Sequence, residues 1–270
     1  MAQSQHWTLE QIPWDSLQRE RVADNEELFY MVCSASLIET STDMYTRNLV
    51  EHFADDAEVA AWLKNGWEPE ELQHGRALRE YVRHAWPEFD WEAVNARFSE
   101  EYAQVCKPEM LLPKRSLEMV SRCVVEMGTS SYYTALHHAT AEPVLCQLTR
   151  HIYEDEVGHY KHFYKYYRRY REIEGVSRTE VLGALWQRLR LIEDEDSYIA
   201  LRHVYATRHP GKRYDKSVYR KIMKRIRKLA GQYIPHEMSA KMLLRPLDMA
   251  PMAQRMVEPM VVGFARLVVT

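Results

Sequence analysis

The chain has 270 residues, 46% of them hydrophobic and 28% charged, with only 9 glycines and a formal net charge of −3. That length suits one large domain or two small ones, and the balance offers nucleic acid no overall electrostatic footprint. Cys33, Cys106, Cys123 and Cys146 form no C-x-x-C pair and read as reduced thiols; no apolar run approaches the ~18 residues of a membrane span, and the polar N-terminus lacks a signal-peptide pattern, so a soluble cytoplasmic protein is expected.

Apolar residues recur at i, i+3, i+4 and i+7, and β-branched alternation is scarce, which predicts an all-α chain. The first helix is predicted from about Asn25 to Phe53 and the second from about Pro69 to Trp86. Aspartate, prolines and aromatics predict an irregular connection from about Pro87 to Pro113. A third helix should run from about Arg115 to Thr140. Pro143, tolerated in a first turn, opens a fourth that reaches about Glu174. Ser177 and Glu180 form an S-x-x-E capping box that starts a fifth, ending near His209-Pro210-Gly211. A basic sixth helix is predicted from about Lys216 to Tyr233, and the tail, rich in Met and Pro, is expected to pack against the rest. No linker or repeat interrupts the chain, so one domain over 1–270 is expected.

Two short motifs carry the chemistry. The second helix contains W67-E-P-E-E-L-Q-H-G75, with Glu71 and His74 spaced i, i+3 on one face. The fourth contains D155-E-V-G-H159, so Glu156 and His159 repeat that spacing. One E-x-x-H is more often a solvated face than a ligand pair. Two on different helices of an all-α chain match half of a dimetal carboxylate site, which also needs one inward Glu from each of two further helices. Glu39 shares an apolar stripe with Leu28, Val32 and Ala35, and Glu126 shares one with Met119, Cys123 and Tyr133. A buried carboxylate is costly unless compensated. A cation at Glu39, Glu71, His74, Glu126, Glu156 and His159 would compensate all four acids; a buried arginine such as Arg122 is the alternative. With four carboxylates, two imidazoles and no thiolate, the set favours iron or manganese over structural zinc.

W67-x-x-E-E-x-x-H-G75, E126-x-x-T129 and D155-E-x-x-H159 resemble the motifs of the soluble acyl-ACP desaturases, within the ferritin-like diiron superfamily. The likeness covers about Asn25 to Glu174. It implies a ferritin-like four-helix bundle over about 25–174, with additional C-terminal helices over about 177–270. It implies two Fe ions, with Mn/Fe an open alternative, bound by Glu39, Glu71, His74, Glu126, Glu156 and His159. It places the Thr129 hydroxyl near the oxygen-binding side and makes Asp155 a partner of a ligating histidine. It further implies an acyl chain carried on acyl carrier protein, electrons from a donor such as ferredoxin, and a homodimer.

Other members of the superfamily share this ligand set, including aldehyde-deformylating oxygenases and small-molecule N-oxygenases. The N-oxygenases add a third His one turn before the last Glu, where this chain has Ile152. A diiron oxygenase of a small free substrate and a ferritin-like storage protein remain the alternatives to a desaturase. The tyrosines at 132, 133, 160, 164, 166 and 167 are expected in the core or at its rim, and His162 lies one turn beyond His159. The basic run K212-R-Y-D-K-S-V-Y-R-K-I-M-K-R-I-R-K228 reads as a solvated face, set against the acids E193-D-E-D196, or as a docking surface for an acidic carrier protein.

Overall fold

The computed structural model describes residues 7–191 and 196–269, and among these every regular element is helical. The helices are α1 (Glu26–Thr40), α2 (Thr42–His52), α3 (Ala57–Trp62), α4 (Glu68–Ala85), α5 (Trp91–Val105), α6 (Arg115–Ala139), α7 (Pro143–Glu174), α8 (Arg178–Leu191), α9 (Asp196–Arg208), α10 (Lys216–Ala230), α11 (His236–Leu244) and α12 (Pro251–Val269). None of the described helices is long and apolar enough to cross a membrane.

Two pairs of helices frame the centre: α1 packs along α4, and α6 along α7. The Asn25 side chain caps α1 by accepting from the Leu28 N–H, with Glu26 and Glu27 in the first turn, where the helix dipole favours negative charge. α1 is buried on almost every side, as expected for a central helix. α7 starts at Pro143, with the Glu142 carboxylate accepting from the Val144 and Leu145 N–H groups, and it ends on Gly175 at φ 60°. The extension does not stand apart from this frame. α9 and α10 pack on α1, and α8 and α11 pack on α6. The principal core accordingly mixes Leu28, Leu78 and Leu148 with Leu201, Val204 and Ile226.

Several predicted elements are corrected. The first long helix is two, broken at Ser41, whose side chain does not cap α2. The second starts at Ala57 rather than Pro69, with Asp56 as its N-cap, and passes through a π-helical turn at Leu63–Trp67 before α4. Pro69 has no N–H to give a regular helix, and the wider turn before it absorbs that loss. The connection from Pro87 to Pro113 contains α5, capped by Asp90 and buried through Trp91, Val94, Phe98 and Tyr102. Burying side chains of that size contributes roughly 1.5–3 kcal/mol each, enough to hold a short helix in place. The fifth predicted helix is α8 and α9; the segment 192–195 between them, with three of the four predicted acids, lies outside the described residues. The Ser177–Glu180 capping box forms as predicted.

Candidate metal centre

Glu39 on α1, Glu71 and His74 on α4, Glu126 on α6, and Glu156 and His159 on α7 converge between the two helix pairs, all of them buried. Their donor atoms form two groups, each lying within 4.8 Å: Glu39, Glu71, His74 and Glu156 in one, and Glu71, Glu126, Glu156 and His159 in the other. Glu71 and Glu156 belong to both. Two ligand groups sharing two carboxylates are what a bridged pair of cations requires. The sequence-predicted ligands are therefore all brought together.

The local sequence explains the convergence. The i, i+3 spacing sets each Glu and His on one helix face. Gly75, which follows His74, lets α4 close on α1. A Cβ there would lie 2.7 Å from the Thr40 amide nitrogen and 2.8 Å from its Cα. That approach brings Glu39, adjacent to Thr40, against Glu71 and His74. Arg122 forms no ion pair with either inward acid; its Nε lies 3.1 Å from Glu118 instead.

The two motifs are crossed. His74 Nδ1 lies 3.3 Å from Glu156 Oε1, and His159 Nδ1 lies 2.9 Å from Glu71 Oε1. The outer Nε2 of His74 lies 3.1 Å from Asp155 Oδ2, and that of His159 lies 2.7 Å from Glu70 Oε2. With Nε2–H donating outward, each Nδ1 lone pair faces the acids, and the acid fixes both tautomer and ring direction. Each histidine is thus held by the acid that precedes the candidate ligand Glu of the opposite helix. Asp155 also accepts from Trp7 Nε1 at 2.7 Å. Its role was expected. Glu70 was missed, although E70-E-x-x-H and D155-E-x-x-H repeat one pattern.

Two polar contacts complete the site. Thr129 Oγ1 donates to Glu156 Oε2 at 2.7 Å. Tyr133 alone among the six singled-out tyrosines bonds a predicted ligand, its hydroxyl donating to Glu39 Oε1 at 2.5 Å. His162 is exposed, stacks on Trp62 and takes no part.

Electrostatics point the same way. Burial, then the charges of Glu71 and Glu156, push the Glu39 carboxyl well above the usual range. Burial pushes Glu126 up to about 8 and raises Glu71. Burial also opposes charge on Glu156, but the adjacent His159 and His74 imidazoles outweigh it and hold that carboxyl low. For both histidines burial disfavours the proton, yet the surrounding carboxylates win and raise them well above the ordinary value. His74 Nδ1, His159 Nδ1 and Glu156 Oε1 are buried without a hydrogen-bond partner. Such orphaned donor atoms, all turned into one acidic cluster, fit a cation. Four carboxylates offset two divalent charges, and the hard oxygen-rich set suits iron or manganese.

Two adjoining cavities reach the centre. One, of about 130 Å³, is lined by Glu39, Glu71, Glu126, Glu156 and Thr129. The other, of about 270 Å³, shares Glu39 and Thr129 with it and continues along apolar side chains of α1, α9 and α10. Comparison of the chain with protein-family models, curated proteins and solved structures finds no match.

Proposed function

We propose that the protein is an O2-activating, non-haem diiron oxidoreductase of the ferritin-like class, acting on the C–H bonds of an acyl chain. The sharing of Glu71 and Glu156 between two buried ligand groups carries this reading. Two ferrous ions bound there supply the two electrons and the open coordination that O2 activation needs. The chain's own residues do the rest. Glu71 and Glu156, common to both groups, would contribute to both cation sites, Glu39 and His74 to one, and Glu126 and His159 to the other. Thr129 holds a hydroxyl proton at Glu156 Oε2, on the wall that both cavities share. The apolar cavity keeps water from the reacting carbon and orients the chain beside Glu39. A storage protein has no use for such a chamber, which is why substrate oxidation is the better reading.

The acyl-ACP desaturase-like assignment rests on the motif resemblance, with an electron donor such as ferredoxin implied alongside it. The test is iron per chain after anaerobic loading with Fe(II) and removal of loose metal. About two irons per chain are expected, lost in a Glu71→Ala/Glu156→Ala double variant that stays folded by circular dichroism. Retention of no iron by the unaltered protein would end the proposal.

A further inference from the structure

Resting on the dimetal reading, we infer that the chamber takes a free carboxylic acid. The carboxylate sits on Arg188 of α8, and the apolar body lies in the larger cavity between α1, α6, α9 and α10. Arg188 lines both cavities. On α8, the buried face is Val181, Ala184 and Leu185, and Arg188 takes the next position of that same i, i+3, i+4, i+7 stripe. A guanidinium there points where an apolar side chain belongs. Its Nε is buried without a hydrogen-bond partner, and among the described residues no carboxylate comes within ion-pair distance of it.

The neighbouring cation behaves differently. Arg122 lies against Glu118, and Tyr45 faces its guanidinium at 4.3 Å. Glu118 in turn accepts from the Tyr45 hydroxyl at 3.1 Å and the Leu112 N–H at 2.8 Å. That cluster holds its cation in an ion pair, although the Arg122 Nε, like that of Arg188, makes no hydrogen bond. Asp196, the acid nearest in influence to Arg188, stands beyond ion-pair distance, and burial raises its carboxyl toward the neutral form. Among the described residues, Arg188 is therefore the cation left for something else to pair.

The chemistry of the partner follows. A planar guanidinium fork matches a planar carboxylate bidentately. One unpaired cation, on a wall that also carries the metal-site acids, balances a monoanion better than a phosphate dianion. Met31, Ala35, Leu201, Met223 and Ile226 offer the body an apolar bed. At about 270 Å³ the cavity favours a small or medium-sized acid. An acyl group on a carrier arrives as a neutral thioester and leaves Arg188 unpaired, so the free acid is the favoured form.

The test compares octanoate with octanamide by calorimetry on the iron-loaded protein. Octanoate should bind at least tenfold more tightly, and Arg188→Gln should bring it down to the level of octanamide with iron per chain unchanged. Arg188→Lys, which keeps the charge and loses the fork, should fall between. Equal binding of the two probes by the unaltered protein, or no binding of either, overturns the inference and needs no variant to fold. A preference that persists in Arg188→Gln overturns it too, because the carboxylate then rests elsewhere, the metal included. Tighter binding of octanoyl carrier protein, unaffected by Arg188→Gln, has the same effect. Iron content is read separately. A chain that prefers octanoate and holds no iron keeps this site and loses the diiron reading.

Discussion

Glu70 and Asp155 act through the histidines they hold, and this sets what their loss should do. Neither belongs to the two ligand groups, yet each fixes the imidazole of the opposite helix through Nε2. Glu70→Gln and Asp155→Asn should each weaken iron binding 10- to 100-fold in competition with a chelator. Glu154→Gln, at the exposed neighbouring position, should leave it unchanged. Equal iron affinity in all three would mean the crossed hydrogen bonds do not position the ligands. Gly75 is the other decisive residue. In an exposed helix, Gly→Ala stabilises by about 1 kcal/mol. Here the new methyl meets Thr40 backbone at under 3 Å, so Gly75→Ala should cost about 1–3 kcal/mol as overpacking. It should also lower iron content by moving Glu39. A higher melting temperature in this variant would show that α1 and α4 do not approach so closely. The candidate ligands were legible in two ways: Glu39 and Glu126 as acids on apolar stripes, where burial is costly, and Glu71, His74, Glu156 and His159 as a repeated E-x-x-H spacing. Arg188 carried the same signal on α8, but its meaning depends on which acids fail to reach it, and that is fixed only by packing.

Helices were readable where their ends had chemistry and their faces had period. Pro143 with Glu142, Gly175, and Ser177 with Glu180 mark ends that the structure keeps. α5 was hidden by its setting among prolines, although Asp90 followed by Trp91, Val94, Phe98 and Tyr102 is a capped, periodic stripe. The π-turn at Leu63–Trp67 left no comparable mark, since one extra residue per turn does not alter composition. It does alter phase. It sets the direction in which Asp56, at the start of α3, meets α7, where the Asp56 carboxylate accepts from the Tyr170 hydroxyl at 2.6 Å and pairs with Arg169. Deleting exposed Asn65 should restore a regular helix and turn α3 by about 100° relative to α4. The Asp56 contacts would be lost and the melting temperature should fall. Glu71 and His74 lie beyond the deletion, so iron content should persist. Loss of iron with an unchanged melting temperature would reverse the roles assigned to the two halves of this element.

Across the whole molecule, the clustered acids tie stability to pH in opposite ways with and without metal. In the metal-free chain, burial holds the Glu126 carboxyl at about 8 against an ordinary 4.5, and it raises Glu39 and Glu71 as well. Their neighbours hold His74 and His159 above the ordinary 6.5. A group whose folded pKa is raised is stabilising below its unfolded value and loses that contribution as pH rises through the folded one. Glu156 is shifted down, so its contribution is complete above 4.5 and constant at higher pH. Between pH 6.5 and 8, then, Glu126 and the two histidines make the folded metal-free chain bind more protons than the unfolded chain, and stability should fall as pH rises. Metal binding displaces those protons, because the ligands bind deprotonated. The loaded protein should show a flat or rising melting temperature over the same window. Loading at pH 7 should release protons, visible as a binding enthalpy that depends on the ionisation heat of the buffer. Metal-free protein with a melting temperature constant from pH 6.5 to 8 would mean that the acids do not crowd one another, and the case for a shared cation pair would fall with it.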